Sequence, residues 1–148
     1  TIVFIIKTYC PNQPKRKNTL MNNFTPTQYN DNDIVAQHSF DVKQSHNIIL
    51  AAEVLKTVSS GKLPQQYSTK DTDPLYAQAQ YLNDMLETRS LTHRGHDNMH
   101  SVTCRAIIID DTVGIEITYH DTTQHAKASI MTFDKETRHV NLVEYATR

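Results

Sequence analysis

The sequence has few of the residues that mark common catalytic or disulfide-stabilised folds. It contains three glycines, two cysteines and no tryptophan among 148 residues. Three glycines argue against a glycine-rich phosphate-binding loop, and no Walker, dinucleotide-binding or G-x-S-x-G motif occurs. Two cysteines do not make a disulfide framework. Function therefore has to be inferred from the arrangement of polar residues.

Neither the net charge nor the hydropathy is extreme. The formal net charge of −1 does not predict strong nonspecific binding to nucleic acid. No apolar run approaches the length of a transmembrane helix, and the run at residues 2–6 is too short for a signal-peptide core. We expect a cytoplasmic protein of one domain, without membrane contact. Its compact core would be residues 35–148, with an N-terminal strand and polar loop, residues 1–34, at the periphery.

Residues 101–145 carry the clearest structural signal, that of an antiparallel β-meander. Apolar residues alternate with polar ones from residue 113 to residue 120, with a period of two. A two-residue turn at residues 110–111 predicts the pairs Ile108–Val113, Ala106–Ile115, Cys104–Ile117 and Val102–Tyr119. A loop at residues 121–124 predicts the pairs Tyr119–Ala126, Ile117–Ala128 and Ile115–Ile130. This register makes one face of three strands apolar. A fourth strand follows at about residues 138–145.

Two amphipathic helices precede the meander. The first is predicted over residues 42–60, with a capping box at Asp41 and Gln44, Ser45 as a competing N-cap and a stop at Gly61. The second is predicted over residues 74–88, because Asp73-Pro74 places an N-cap before proline at the first helical position. The prediction is an α+β fold: a four- to five-stranded antiparallel meander with two helices on one face. The apolar run at residues 1–8 is the candidate fifth strand.

The other face of the meander is polar and carries the candidate site. Adjacent strands place Arg105 beside Glu116, Thr118 beside Lys127, and His120 beside His125. Cleavage of a phosphodiester needs a base, an acid and cations for the phosphate. Glu116, His120 and His125 are the catalytic candidates, and Arg105, Lys127 and Thr118 are the candidates for binding phosphate or another ligand. This layout of helices followed by a sheet, over residues 101–129, resembles that of barnase-type and related toxin ribonucleases, though no sequence motif is shared.

A histidine-rich connection joins the second helix to the meander. His93, His96 and His100 have the spacing H-x2-H-x3-H, which suits zinc or another divalent metal. No H-E-x-x-H or C-x-x-C motif accompanies them. The spacing therefore yields a second alternative, a metal-binding protein.

The leading hypothesis is a small non-enzymatic binding or regulatory protein, of the inhibitor or immunity type, that acts through contact with another protein. Such a protein would expose apolar residues such as Ile107 and Met131 on its sheet. A metal-independent ribonuclease that binds RNA on the polar face is the first alternative. No cofactor is expected. A free sheet edge would permit a homodimer.

Overall fold

The computed structural model describes residues 23–39, 46–69, 71–92, 102–120 and 126–146. These residues form strand β1 (Ile34–Ser39), helices α1 (His46–Ser60) and α2 (Pro74–Thr88), and strands β2 (Val102–Ile109), β3 (Thr112–Tyr119), β4 (Ala126–Phe133) and β5 (Val140–Ala146). Short 3-10 turns occupy Asp31–Asp33 and Gln65–Tyr67. The strands form one antiparallel sheet in the order β1-β5-β4-β3-β2, and the helices pack on it. The predicted α+β fold is confirmed.

Helix α2 has the predicted bounds and the predicted start. The Asp73 carboxylate accepts a hydrogen bond from the Leu75 amide at 3.0 Å, and proline occupies the first helical turn. Helix α1 ends at Ser60, as predicted. Its predicted first turn and the capping box at Asp41 and Gln44 lie outside the described residues. Neither described helix is long and apolar enough to cross a bilayer.

The β2–β3 hairpin has the predicted register, including all four predicted residue pairs. Its turn residues, Asp110 and Asp111, have φ angles of 51° and 62°. Two central residues in the left-handed region make a type I′ turn, whose twist matches that of the flanking strands. Aspartate is one of the few residues other than glycine that tolerate this conformation.

The predicted register between β3 and β4 is wrong by one residue. Ile117 lies opposite Ser129 and Ile115 opposite Met131, so the side chains of β4 are on the faces opposite to those predicted. The prediction assumed that only one face of β4 is buried. In the structure Ala128, Ser129, Ile130 and Met131 are all buried, and an apolar pattern cannot then distinguish the two faces.

The fourth strand of the meander is confirmed as β5, but β1 was not predicted. The sequence predicts a polar loop that ends at residue 34, and no strand was predicted in the residues that follow. Strand β1 pairs with β5 from Ile34↔Tyr145 to Ser39↔Asn141, with an irregularity between Ile34 and Ala36. The predicted strand at residues 1–8 lies outside the described residues.

The main core lies between the helices and one face of the sheet. Its fully buried side chains come from both helices and from the central strands, among them Leu55, Leu82, Leu86, Ile115, Ile117, Met131 and Leu142. Phe24 also belongs to this core, where its ring meets that of Tyr76 edge-on with 5.1 Å between centroids. A residue from the polar N-terminal third therefore takes part in the core.

Candidate functional site

The outer face of the sheet, away from the helices, is crossed by residues 23–29, which we call the strap. The strap begins beside β2, where the Phe24 carbonyl accepts a hydrogen bond from the Ile108 amide at 2.7 Å. It ends at Tyr29, whose ring stacks on that of Tyr145 in β5 with 4.6 Å between centroids. The strap therefore reaches from the β2 side of the sheet to β5.

Glu116, in the middle of β3, is the point where the strap is fixed to the sheet. The residue is only 5% exposed. Its Oε1 accepts hydrogen bonds from the Thr27 amide at 3.0 Å and from Arg105 Nη2 at 2.8 Å. Its Oε2 accepts from the Thr27 and Tyr29 hydroxyls, each at 2.7 Å. A carboxylate offers about four lone-pair sites, so these contacts occupy its accepting capacity.

The electrostatics of this site favour an ionised Glu116. Burial alone would raise the pKa of Glu116, but hydrogen bonds from Thr27 and Tyr29, with the charge of Arg105, outweigh burial and lower the pKa below 4.5. The pKa of Tyr29 is raised to about 12, first by burial and then by its hydrogen bond to the Glu116 carboxylate. At neutral pH the carboxylate is therefore charged and the Tyr29 phenol is neutral.

Arg105 lies beside Glu116, as predicted, and it also binds the strap. Its Nη2 donates to the Thr25 carbonyl at 2.6 Å as well as to Glu116, and its Nη1 lies 3.5 Å from the Asn23 carbonyl. The side chain is 39% exposed. The guanidinium therefore joins the strap to the sheet in a partly solvated position. Its suggested role in binding phosphate stays a prediction.

The remaining predicted site residues do not all gather around Glu116. His120 Nε2 lies 3.1 Å from the Thr103 hydroxyl on the neighbouring strand. The predicted pair of Thr118 with Lys127 is wrong, because Thr118 lies opposite Ala128 in the observed register. Lys127 is exposed where the β4–β5 ladder is irregular. His125 lies outside the described residues, and the catalytic assignments stay predictions.

The metal hypothesis rests on residues that cannot be compared with the structure. His93, His96 and His100 all lie outside the described residues. Among the residues that are described, no group of three or more His, Cys, Asp or Glu side chains is arranged to hold a metal ion.

The apolar surface expected of a binding protein is not on the sheet face. Ile107 and Met131, which were expected to be exposed, are both fully buried. Met131 is buried because the observed register of β4 places its side chain on the helical face of the sheet, where it joins the main core. A binding surface therefore has to be sought elsewhere, and the two edges of the sheet differ in this respect.

The edge at β2 is closed by other parts of the chain. Three alternate amides of β2 point away from β3, and each donates to a different acceptor: Cys104 to the Leu91 carbonyl at 2.7 Å, Ala106 to the Asn83 side-chain oxygen at 3.1 Å, and Ile108 to the Phe24 carbonyl at 2.7 Å. With these three outward donors satisfied, the stretch of β2 from Cys104 to Ile108 is not available to another strand.

The edge at β1 is different. Across the described ranges, β1 pairs with β5 on one side and with no further strand on the other. Val35, at the irregularity in β1, is 43% exposed and is the one large exposed hydrophobic residue that the structure describes. The strand itself has the sequence IVAQHS and carries no carboxylate, lysine or arginine. This edge is the candidate functional site.

Sequence reasoning missed the strap and both edges. The pair Thr25-Pro26 favours an extended chain, because the residue before proline is biased away from helix. Thr25, Thr27 and Tyr29 then repeat with a period of two, as in an extended segment. That signal could have identified an extended segment, but not the carboxylate that it binds.

Comparisons with known proteins do not extend this description. No family model, no curated protein and no solved structure matches the chain. The function is therefore argued from the geometry of the sheet alone.

Proposed function

We propose that this is a non-enzymatic binding protein whose β1 edge pairs with an extended segment of a partner protein. The observation that carries the proposal is the contrast between the sheet edges: β2 is closed by three of the chain's own acceptors, and β1 adjoins no further described strand. Addition of a strand to a free edge is a recurrent mode of peptide recognition, in which the main chain supplies affinity.

Backbone alternation identifies the groups that the partner would meet. Successive residues of an antiparallel strand direct their amides and carbonyls to opposite neighbours. Following this alternation from the outward amides of β2 through the observed registers assigns the backbone of Ala36 and His38 to β5. The amide and carbonyl of Gln37 then point outward, at the middle of the edge.

The side chains along the edge favour an apolar partner segment with a basic flank. Val35 offers an exposed apolar contact, and β1 carries no carboxylate, lysine or arginine that would repel a partner. Asp31, in the 3-10 turn that leads into β1, adds negative charge at one end. We expect β-branched residues at alternate positions of the segment and a lysine or arginine beside them.

The state of Glu116 supports a binding role over the ribonuclease alternative. A general base must have a lone pair free to take a proton. The Glu116 carboxylate accepts four hydrogen bonds, and its lowered pKa makes it a weaker base. We also propose, from the sequence alone, that the protein is cytoplasmic.

Selection from a randomised linear-peptide library displayed on phage tests the proposal. We expect enriched peptides with alternating β-branched residues. Gln37→Pro removes the outward amide of β1 and should weaken their binding at least about tenfold, a loss of about 1.4 kcal/mol. Gln37→Ala is the matched control, because it changes the same side chain but keeps the amide, and it should bind as the parent does.

Several results would contradict the proposal. Peptides that bind the proline variant as tightly as the parent would place the interface elsewhere. Self-association in sedimentation experiments that Gln37→Pro abolishes, without any peptide enrichment, would make a second copy of the chain the occupant. Cleavage of a mixed-sequence RNA in EDTA that both Glu116→Ala and His120→Ala abolish, at a temperature where both variants remain folded, would establish the enzyme instead.

A further inference from the structure

We infer that the strap regulates the β1 edge: docked on Glu116 it holds β1 against β5, and negative charge brought to Thr27 releases both strap and strand. The inference rests on the proposed function, because it concerns control of the same edge. It comes from the way in which the strap, β5 and β1 are connected.

Strap and strand share one neighbour, Tyr145. The Tyr29 ring, at the end of the strap, stacks on the Tyr145 ring at 4.6 Å and an interplanar angle of 18°. Ile34, the first residue of β1, is the backbone partner of the same Tyr145. Between them the chain is short and ordered, because the Asn30 side chain caps the 3-10 turn by accepting from the Asn32 amide at 2.8 Å. Movement of Tyr29 is therefore transmitted directly to the start of β1.

Strand β1 is weakly held apart from this connection. It has β5 as its single described neighbour, and its ladder is irregular between Ile34 and Ala36. None of the side chains at residues 34–37 is buried. A strand whose described side chains are all at least partly exposed belongs to the part of a fold that opens most readily. Its position thus depends strongly on the docked strap.

The anchor is sensitive to charge. Thr27 is exposed, yet its amide and hydroxyl both bind the Glu116 carboxylate. The groups that face this carboxylate are Arg105 from β2 and the Tyr29 phenol from the strap, while β4 places the uncharged Ile130 beside it. A second carboxylate at position 27 would lose the hydroxyl contact and lie beside a like charge, which Arg105 alone would have to balance.

Hydrogen exchange of wild type, Thr27→Glu and Gln28→Glu tests the inference. Gln28 is the exposed neighbour of Thr27, so its substitution makes the same change of net charge without touching the described anchor contacts. We expect Thr27→Glu to lower the protection of the amides of position 27, Ala36 and His38 at least about tenfold. Gln28→Glu should leave all three unchanged. The amides of Ile115 and Ile117 report on the sheet as a whole.

Other outcomes overturn the inference. Loss of protection at position 27 with Ala36 unchanged would show that strap and strand move independently. An equal response to both variants would make the effect one of net charge. If Thr27→Glu also lowers the protection of the Ile115 amide, the experiment is repeated with Tyr29→Phe, which removes one anchor contact and keeps the ring. Unchanged protection of the Ala36 amide in Tyr29→Phe would reject the coupling.

The experiment separates the inference from the proposed function, because exchange requires no partner. Loosening of β1 in Thr27→Glu, with no peptide bound by the wild type, would support control of the strand and reject the proposed function. Peptides from the phage selection that bind Thr27→Glu and wild type equally, despite loosened β1, would reject the regulation and leave the proposed function standing. Weaker binding to Thr27→Glu than to Gln28→Glu would support both.

Discussion

The two faces of the sheet are held by different forces. The helical face is covered by apolar side chains from α1 and α2, and its contacts are numerous and individually weak. On the outer face the strap is held largely by polar contacts, and one carboxylate, Glu116, accepts four hydrogen bonds there. The first face therefore stabilises the fold as a whole, whereas the second concentrates its polar contacts at one residue, Glu116, through which we infer that an edge strand is positioned.

The largest loss of stability is expected on the helical face. Ile117 is fully buried in the main core, so Ile117→Ala should lower the free energy of unfolding by about 2–5 kcal/mol, from lost burial and the cavity left behind. Urea denaturation measures the change. Val35→Ala, at the exposed edge, is the control and should change stability by less than about 0.5 kcal/mol. A loss at Ile117 no larger than the control would contradict this account of the core.

A smaller but more localised loss is expected at the anchor. Glu116→Ala leaves the Thr27 amide, the Tyr29 hydroxyl and Arg105 without their acceptor, and should cost about 2–3 kcal/mol, discounted because Arg105 is partly solvated. Glu116→Gln should cost less, since its amide can still accept on one side and donate to the hydroxyls on the other. Equal losses in the two variants, by urea denaturation, would contradict the expectation that glutamine keeps part of the hydrogen bonding at this residue.

Removing one anchor hydrogen bond should have a modest effect. Tyr29→Phe deletes the hydroxyl that donates to Glu116 at 2.7 Å and keeps the ring that stacks on Tyr145. We expect a loss of about 1 kcal/mol by urea denaturation. In the Glu116→Ala background the same change should cost almost nothing, because the acceptor is already gone. Additive losses in the double variant would mean that the two residues do not interact.

The smallest effect concerns the charge of Glu116, whose contribution to stability is present at neutral pH and should be lost on acidification. Its pKa is lower in the folded chain than the ordinary 4.5, because the hydrogen bonds from Thr27 and Tyr29 and the charge of Arg105 outweigh burial. The stability it contributes is therefore present above the unfolded pKa and is lost as pH falls through the folded pKa. The difference in unfolding free energy between wild type and Glu116→Gln should shrink below about pH 4.5. A difference independent of pH would contradict the assignment.

Sequence reasoning succeeded for some elements of the fold and failed for others, in each case for a physical reason. Helix α2 was predicted to its exact ends because Asp73-Pro74 is a local signal that depends on no distant contact. The β2–β3 hairpin was predicted because a tight turn joins strands that are polar on one side and apolar on the other. The β3–β4 register failed because β4 is buried on both faces, which removes the alternation on which the prediction relied.

At the candidate site, too, sequence reasoning could predict local contacts but not distant ones. That Arg105 and Glu116 are neighbours could be predicted, since a hairpin places them there. That Glu116 holds the strap could not, because Thr27 precedes it by 89 residues in the chain and no local pattern relates the two. Closure of the β2 edge by Leu91, Asn83 and Phe24 is equally nonlocal.

The sequence by itself determined the α+β class, both helices and the first hairpin, because short-range periodicity, capping and turn chemistry decide these features within a few residues. Only the tertiary structure showed which side chains of β4 face the helices, which groups bind the buried Glu116 carboxylate, and which edge of the sheet adjoins no further described strand. These depend on segments far apart in the chain that meet only after the sheet has formed, so no window of sequence contains them.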